Sequence, residues 1–240
     1  MKIMKSYPAT AFVLAFAFLL LNVPAFAQSL RGNGNIQAQN RNVSGFKGIN
    51  VSGGFAVEIT QGNSESLRIE AEENLLGNIV TEVKGGVLHI YNEGSISTNK
   101  GMKAYITIRE LNSIDISGGV KVTGNSTFKT KAMKFDMSGA SKVKLALDAD
   151  RLNADMSGAS KVELSGRASE VSWSMSGASN VSAEELESKV VKVTASGASK
   201  IRVNATEKLD INASGASNIA YKGKPSITSD VSGGTKISSL

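Results

Sequence analysis

Apolar and polar residues alternate along most of this chain, and at regular intervals a glycine interrupts the alternation. Counting back from the serine of a recurring hexapeptide, the fifth, third and first residues before it are apolar: Met133, Phe135 and Met137; Leu152, Ala154 and Met156; Val171, Trp173 and Met175; Val191, Val193 and Ala195; Leu209, Ile211 and Ala213. The second and fourth are polar almost throughout, from Lys134 and Asp136 to Asp210 and Asn212. A period of two with one apolar face predicts half-buried strands. The hexapeptide reads serine, glycine, a small residue, usually serine or threonine, usually lysine or asparagine, then valine or isoleucine. Its copies begin at Ser52, Ser117, Ser138, Ser157, Ser176, Ser196, Ser214 and Ser232, and the last seven are 21, 19, 19, 20, 18 and 18 residues apart. A near-constant period of that size marks a solenoid of stacked units.

The sixth motif position forms an aliphatic column: Val122, Val143, Val162, Val181, Ile201, Ile219 and Ile237. The second is glycine in every copy: Gly53, Gly118, Gly139, Gly158, Gly177, Gly197, Gly215 and Gly233. Such constancy predicts a backbone of positive φ, which only glycine adopts freely. The third is only Gly or Ala, which suggests a corner too tight for a longer side chain. A rung of 18 to 21 residues holds two or three strands, at about 3.3 Å per residue, and no helix of any length. Equivalent strands of successive rungs then run parallel, about 4.8 Å apart. The expected fold is all-β, a single-stranded parallel β-helix, right-handed by the crossover rule.

Between the first and second motifs lie 65 residues in which strands continue, at 67–70, 87–90 and 104–108, without the motif. Residues 72–79 could form one helical turn. This part, 42–111, is expected to be an irregular cap over one end of the stack, with regular repeats over 112–240 and the whole of 42–240 a single domain. Residues 28–41 are polar and without periodicity, which predicts a flexible linker.

Lys2 and Lys5 precede an uncharged stretch over 11–23, followed by Ala25-Phe26-Ala27, the pattern of a secretory signal peptide over 1–27. No second apolar run of membrane-spanning length follows. The chain is thus expected to be exported, to the periplasm, the outer surface or the medium. There is no cysteine, which excludes disulfides, thiolate metal sites and a lipidated N-terminal cysteine. Without Lys2 and Lys5, 25 basic residues face 21 acidic ones. That mild excess does not demand nucleic acid.

The signal peptide, FKGINVSGGFAVEI with its Gly48-Ile49-Asn50 triplet, and the SGASK-type repeats together resemble the head GIN domain family of auto-transporter adhesins, bacterial envelope domains. The resemblance covers essentially the whole chain after the leader. It implies a right-handed β-helix of the pectin-lyase kind, bent tightly at SGA and SGG corners, and a role in adhesion. It carries over no catalytic residues. The chain departs from a true autotransporter in that no barrel follows the final repeat.

Stacking turns equal positions into ladders. The fifth motif position reads Lys121, Lys142, Lys161, Asn180, Lys200, Asn218 and Lys236. Five lysines on one ridge suit an anionic polymer such as an acidic glycan; solvation alone would also account for them. Two residues before the motif run Asp115, Asp136 and Asp155, continued by Ser174, Thr194, Asn212 and Asp230. These acids could pair with the lysines, or three in succession could hold calcium, although the glycine-aspartate loops of calcium-binding β-rolls are missing. The turn serines are expected to bond to local backbone. His89 is the only histidine, the acids are spread at rung intervals, and no phosphate loop, dinucleotide fingerprint or zinc spacing occurs. No catalytic residue, metal or cofactor is therefore expected. Three function classes follow: a binding or adhesion module for a glycan, surface polymer or envelope protein; a polysaccharide lyase or other carbohydrate-active β-helix enzyme; or a structural envelope protein that self-associates.

Overall fold

A computed structural model describes residues 29–240, so the leader assigned to 1–27 lies outside the described residues. The chain winds into a parallel β-solenoid of about 7 turns. Five long strands, Lys121–Met137, Lys142–Met156, Lys161–Gly177, Asn180–Gly197 and Lys200–Gly215, each pair in parallel with the next. The first half of each strand joins the sheet that leaves the glycine corner, and the second half joins the sheet that enters the next one. The last turn divides into Asn218–Lys222, Ser226–Val231 and Lys236–Ser239. Ile219 of the first is fully buried, but the apolar positions of the second are only half covered, with Ile227 40% and Val231 41% exposed.

At the other end the cap extends both sheets. Gly48–Gly53 and Ser113–Gly118 lead the entering sheet back to Val87–Asn92, where Ile79–Lys84 closes it by antiparallel pairing. On the leaving sheet, Phe55–Gln61 pairs in parallel with Met102–Ile108; Ser66–Glu72 and then Ile36–Arg41 follow antiparallel. The turn expected at 72–79 is a 3-10 helix, Glu73–Asn78, with Leu75 and Leu76 buried beneath it.

The flexible linker expected over 28–41 is corrected by the structure, because this segment is part of the cap. Ile36–Arg41 is a strand, and Leu30–Arg31 pairs with Ile96–Ser97. Its side chains are mostly exposed, so backbone pairing rather than burial holds it, and no apolar alternation announces it. A latch fixes the intervening turn. The fully buried Glu72 carboxylate accepts hydrogen bonds from Gly34 N at 2.9 Å, Thr98 Oγ1 at 2.6 Å and Asn99 N at 3.3 Å. The Thr98 hydroxyl, more than the backbone donors, holds this carboxyl below its ordinary range against the opposing effect of burial.

The corners have two requirements that only glycine meets. Every motif glycine has a positive φ, +80° at Gly158 for example. An added Cβ at Gly158 would also lie 2.6 Å from the carbonyl oxygen of Gly139 on the rung before. The expectation of tightness at the third position is corrected: Ala140, Ala159, Ala178, Ala198 and Ala216 are exposed, and a Cβ built at Gly54 meets nothing within 4 Å. The crowding sits one residue earlier, where backbones stack. The fourth-position serines Ser141, Ser160, Ser179, Ser199 and Ser217 are buried. Ser141 Oγ donates to Ser138 O at 3.0 Å and to Gly118 O at 3.2 Å, tying a corner to itself and to the rung before.

The interior is a set of columns. Phe135, Ala154, Trp173, Val193 and Ile211 are register partners on successive rungs and all are buried. Ala154 leaves room between two aromatic neighbours, as interdigitated packing requires. Among the described residues no helix is long and apolar enough to cross a membrane.

Candidate functional site

The glycine corner divides the outer surface into two faces, each carrying one ladder. On the leaving face Lys121, Lys142, Lys161, Asn180, Lys200, Asn218 and Lys236 are consecutive register partners. The row continues into the cap through Ala56 to Lys103. Lys103 escaped sequence reasoning because its strand carries no motif from which to count. Only the outward phase of Met102–Ile108 hinted at its side.

One row over, Arg68, Tyr105, Glu58, Thr123, Lys144, Glu163, Ser182 and Arg202 stand side by side on successive strands. Glu163 reshapes the lysine ladder. Its Oε1 lies 2.9 Å from Lys161 Nζ and 3.2 Å from Lys142 Nζ, and its Oε2 lies 3.7 Å from Lys144 Nζ. Hydrogen bonds from Lys161 and then Lys142 pull this carboxyl from 4.5 down to about 2, outweighing desolvation. Lys121, Lys200 and Lys236 are exposed, and among the described residues no carboxylate lies within ion-pair distance of them.

A carboxyl whose pKa is depressed by folding stabilises the fold above its unfolded pKa and ceases to do so as pH falls through the folded value. The window for Glu163 is therefore 4.5 down to about 2. Over that window the native chain should lose about 1 kcal/mol more stability than Glu163→Gln, a modest figure because the lysine partners are solvated. Equilibrium urea unfolding across the acid range measures the difference, and parallel pH profiles would refute the pairing.

On the entering face Asp115, Asp136, Asp155, Ser174, Thr194, Asn212 and Asp230 are consecutive register partners. This row too runs on into the cap, through Asn50 and His89 to Glu82. Asn50 Nδ2 donates to Asp115 Oδ2 at 2.6 Å, and Lys134 Nζ lies 3.9 Å from Asp136 Oδ2. The corner separates the two ladders, and no member of one is ion-paired with a member of the other among the described residues. Pairing between them, one of the sequence expectations, is thereby corrected. The acids are strung along the stack, and among the described residues no three acids or histidines gather at a metal-sized point. His89 neighbours Glu82, which accepts from Lys84 Nζ at 2.7 Å and from Tyr91 Oη at 3.2 Å.

Stacked corners, buried columns and two displayed rows define a repeat-built parallel β-solenoid. The chain belongs to the family described as "Putative auto-transporter adhesin, head GIN domain", whose model matches residues 45–225. Among solved structures it is similar to "a putative adhesin" from Bacteroides fragilis, at 25% identity over 88% of this chain and 100% of that one, with a TM-score of 0.82. A "putative lipid binding protein" from Parabacteroides distasonis shares the fold at 24% identity, 89% and 100% coverage and a TM-score of 0.71. A "putative adhesin" from Parabacteroides merdae does so at 18% identity, 88% and 99% coverage and a TM-score of 0.67. No curated protein matches the chain.

Proposed function

We propose that the chain is a non-enzymatic binding module of the cell envelope, which engages an extended anionic partner, an acidic glycan or surface polymer, along the leaving face. The observation that carries this reading is the seven-position register with five lysines, continued by Lys103. Strand spacing sets the cations about 4.8 Å apart, or twice that across an asparagine. Only a partner that repeats its charge can meet several of them at once. Each exposed contact is weak, so affinity arises from their number and falls with salt.

Binding of the purified chain to polygalacturonate and heparin, with dextran as the neutral control, tests the reading. The triple variant Lys121→Glu, Lys200→Glu, Lys236→Glu removes the unpaired cations and leaves the Glu163 cluster intact. It is expected to lose at least tenfold in affinity, about 1.4 kcal/mol, for the acidic polymers. Equal retention of dextran and acidic polymers, or no loss in the triple variant, would overturn it.

A further inference from the structure

We propose that the cap holds a saccharide subsite, a concavity that binds one neutral sugar unit through its hydroxyls. The concavity measures about 530 Å³ and opens between Ile36–Arg41, Ser66–Glu72, Met102–Ile108 and Phe55–Gln61. That volume lies within the usual span of small-ligand sites, about 300 to 1,000 Å³. It heads the same face as the lysine row, and its part in glycan recognition rests on the function proposed above.

Three features of the lining choose the ligand. The Arg68 guanidinium lies 4.3 Å from the centroid of the Tyr105 ring and covers one ring face, which holds a planar fork of N–H donors at the concavity for sugar hydroxyls to accept. Beside it Asn125 Nδ2 donates to Glu58 Oε2 at 3.2 Å. An amide next to a carboxylate offers a donor and acceptors together, which is what adjacent hydroxyls need because each both donates and accepts. The third feature is balance. Arg41 and Arg68 offset Glu58 and Glu65, so the lining carries no net charge to recruit a multiply charged anion. Val43 is the one apolar side chain of the lining that is not fully buried, which disfavours an acyl chain.

Asn125 reaches this position because the ladder breaks there. The register between Lys121–Met137 and Lys142–Met156 shifts between Thr123 and Thr127, an irregularity of the kind that re-aims a side chain. Gln61 clamps the irregularity open. Its backbone N donates to Ser126 Oγ at 2.8 Å, its Oε1 accepts from Lys129 N at 2.7 Å, and its Nε2 donates to Arg109 O at 2.9 Å. The strand departs from the regular rung and is then fixed in its departure, beside the concavity that Asn125 lines.

The test is an amide chemical-shift titration of the whole chain with methyl glycosides of glucose, galactose, mannose and N-acetylglucosamine and with their β-linked disaccharides. Saturable shifts are expected at Arg68, Tyr105 and Asn125 with at least one of these sugars. Arg68→Met and Asn125→Ala, both at exposed positions, should each weaken that binding about tenfold, the loss of about 1.4 kcal/mol, while the remaining spectrum shows an intact fold. The lysine-row triple variant should bind the sugar unchanged. No saturable shift with any sugar, shifts indifferent to both cap variants, or loss of sugar binding in the lysine variant would each overturn the subsite. Sugar binding without acidic-polymer binding would instead sink the lysine-row reading and leave the subsite standing.

Discussion

Gly177→Ala should lower the stability of the chain by about 2 to 3 kcal/mol, far more than one methyl group ordinarily does on a protein surface. Its φ is +99°, and the new Cβ would lie 2.6 Å from the carbonyl oxygen of Gly158. The first condition imposes a left-handed backbone on a residue with a side chain; the second pushes that side chain into an atom that cannot rotate away. Relief would require this corner to move away from the rung before, which weakens the hydrogen bond that Ala178 N donates to Gly158 O at 2.9 Å. Gly54→Ala is the matched control, since its φ is not positive and its Cβ would meet open space. Restricting the unfolded chain there should leave stability unchanged or slightly raised. Urea unfolding of the two variants checks the contrast, and equal midpoints would show that the corners are not the rigid element described above.

Trp173→Ala is expected to cost about 3 to 5 kcal/mol, the range for truncating a large buried aromatic. Trp173 is fully buried between Ala154 and Val193 of neighbouring rungs, and neither is large enough to fill the space. Trp173→Phe should be far milder, because the indole Nε1 has no hydrogen-bond partner to lose. In a stack each rung is held by its two neighbours, so the damage should be local before it is global. Hydrogen exchange in Trp173→Ala should show lost protection first at 152–156 and 191–195, with the cap least affected. A uniform loss along the chain would argue against rung-by-rung coupling.

Much of this molecule was legible before any coordinates because one motif recurs at nearly constant spacing. A constant spacing, stacked in parallel, sets equal positions beside one another, and the lysine and aspartate columns follow by counting. Counting fails where rung length changes. The extra residues are absorbed away from the corner, at register shifts between Ala183 and Glu187 and between Ser188 and Val190. Positions near a corner therefore stay aligned while those opposite it do not. The cap strands Val87–Asn92 and Met102–Ile108 carry no motif to count from, so the junctions of Lys103 with the lysine row and of His89 with the aspartate row were out of reach.

By itself the amino-acid order determined the repeat, the inward and outward phase of each rung, and the need for glycine at the corners. These depend on neighbours along the chain and on a period the chain carries openly. Tertiary structure alone decided that Glu163 neutralises part of the lysine row, that residues 36–41 form a strand, and that Arg68, Tyr105, Glu58 and Asn125 meet in one concavity. Those residues are brought together by pairings between distant segments, some antiparallel and one across a break in register. Backbone hydrogen bonds satisfied far along the chain leave no local trace in hydropathy.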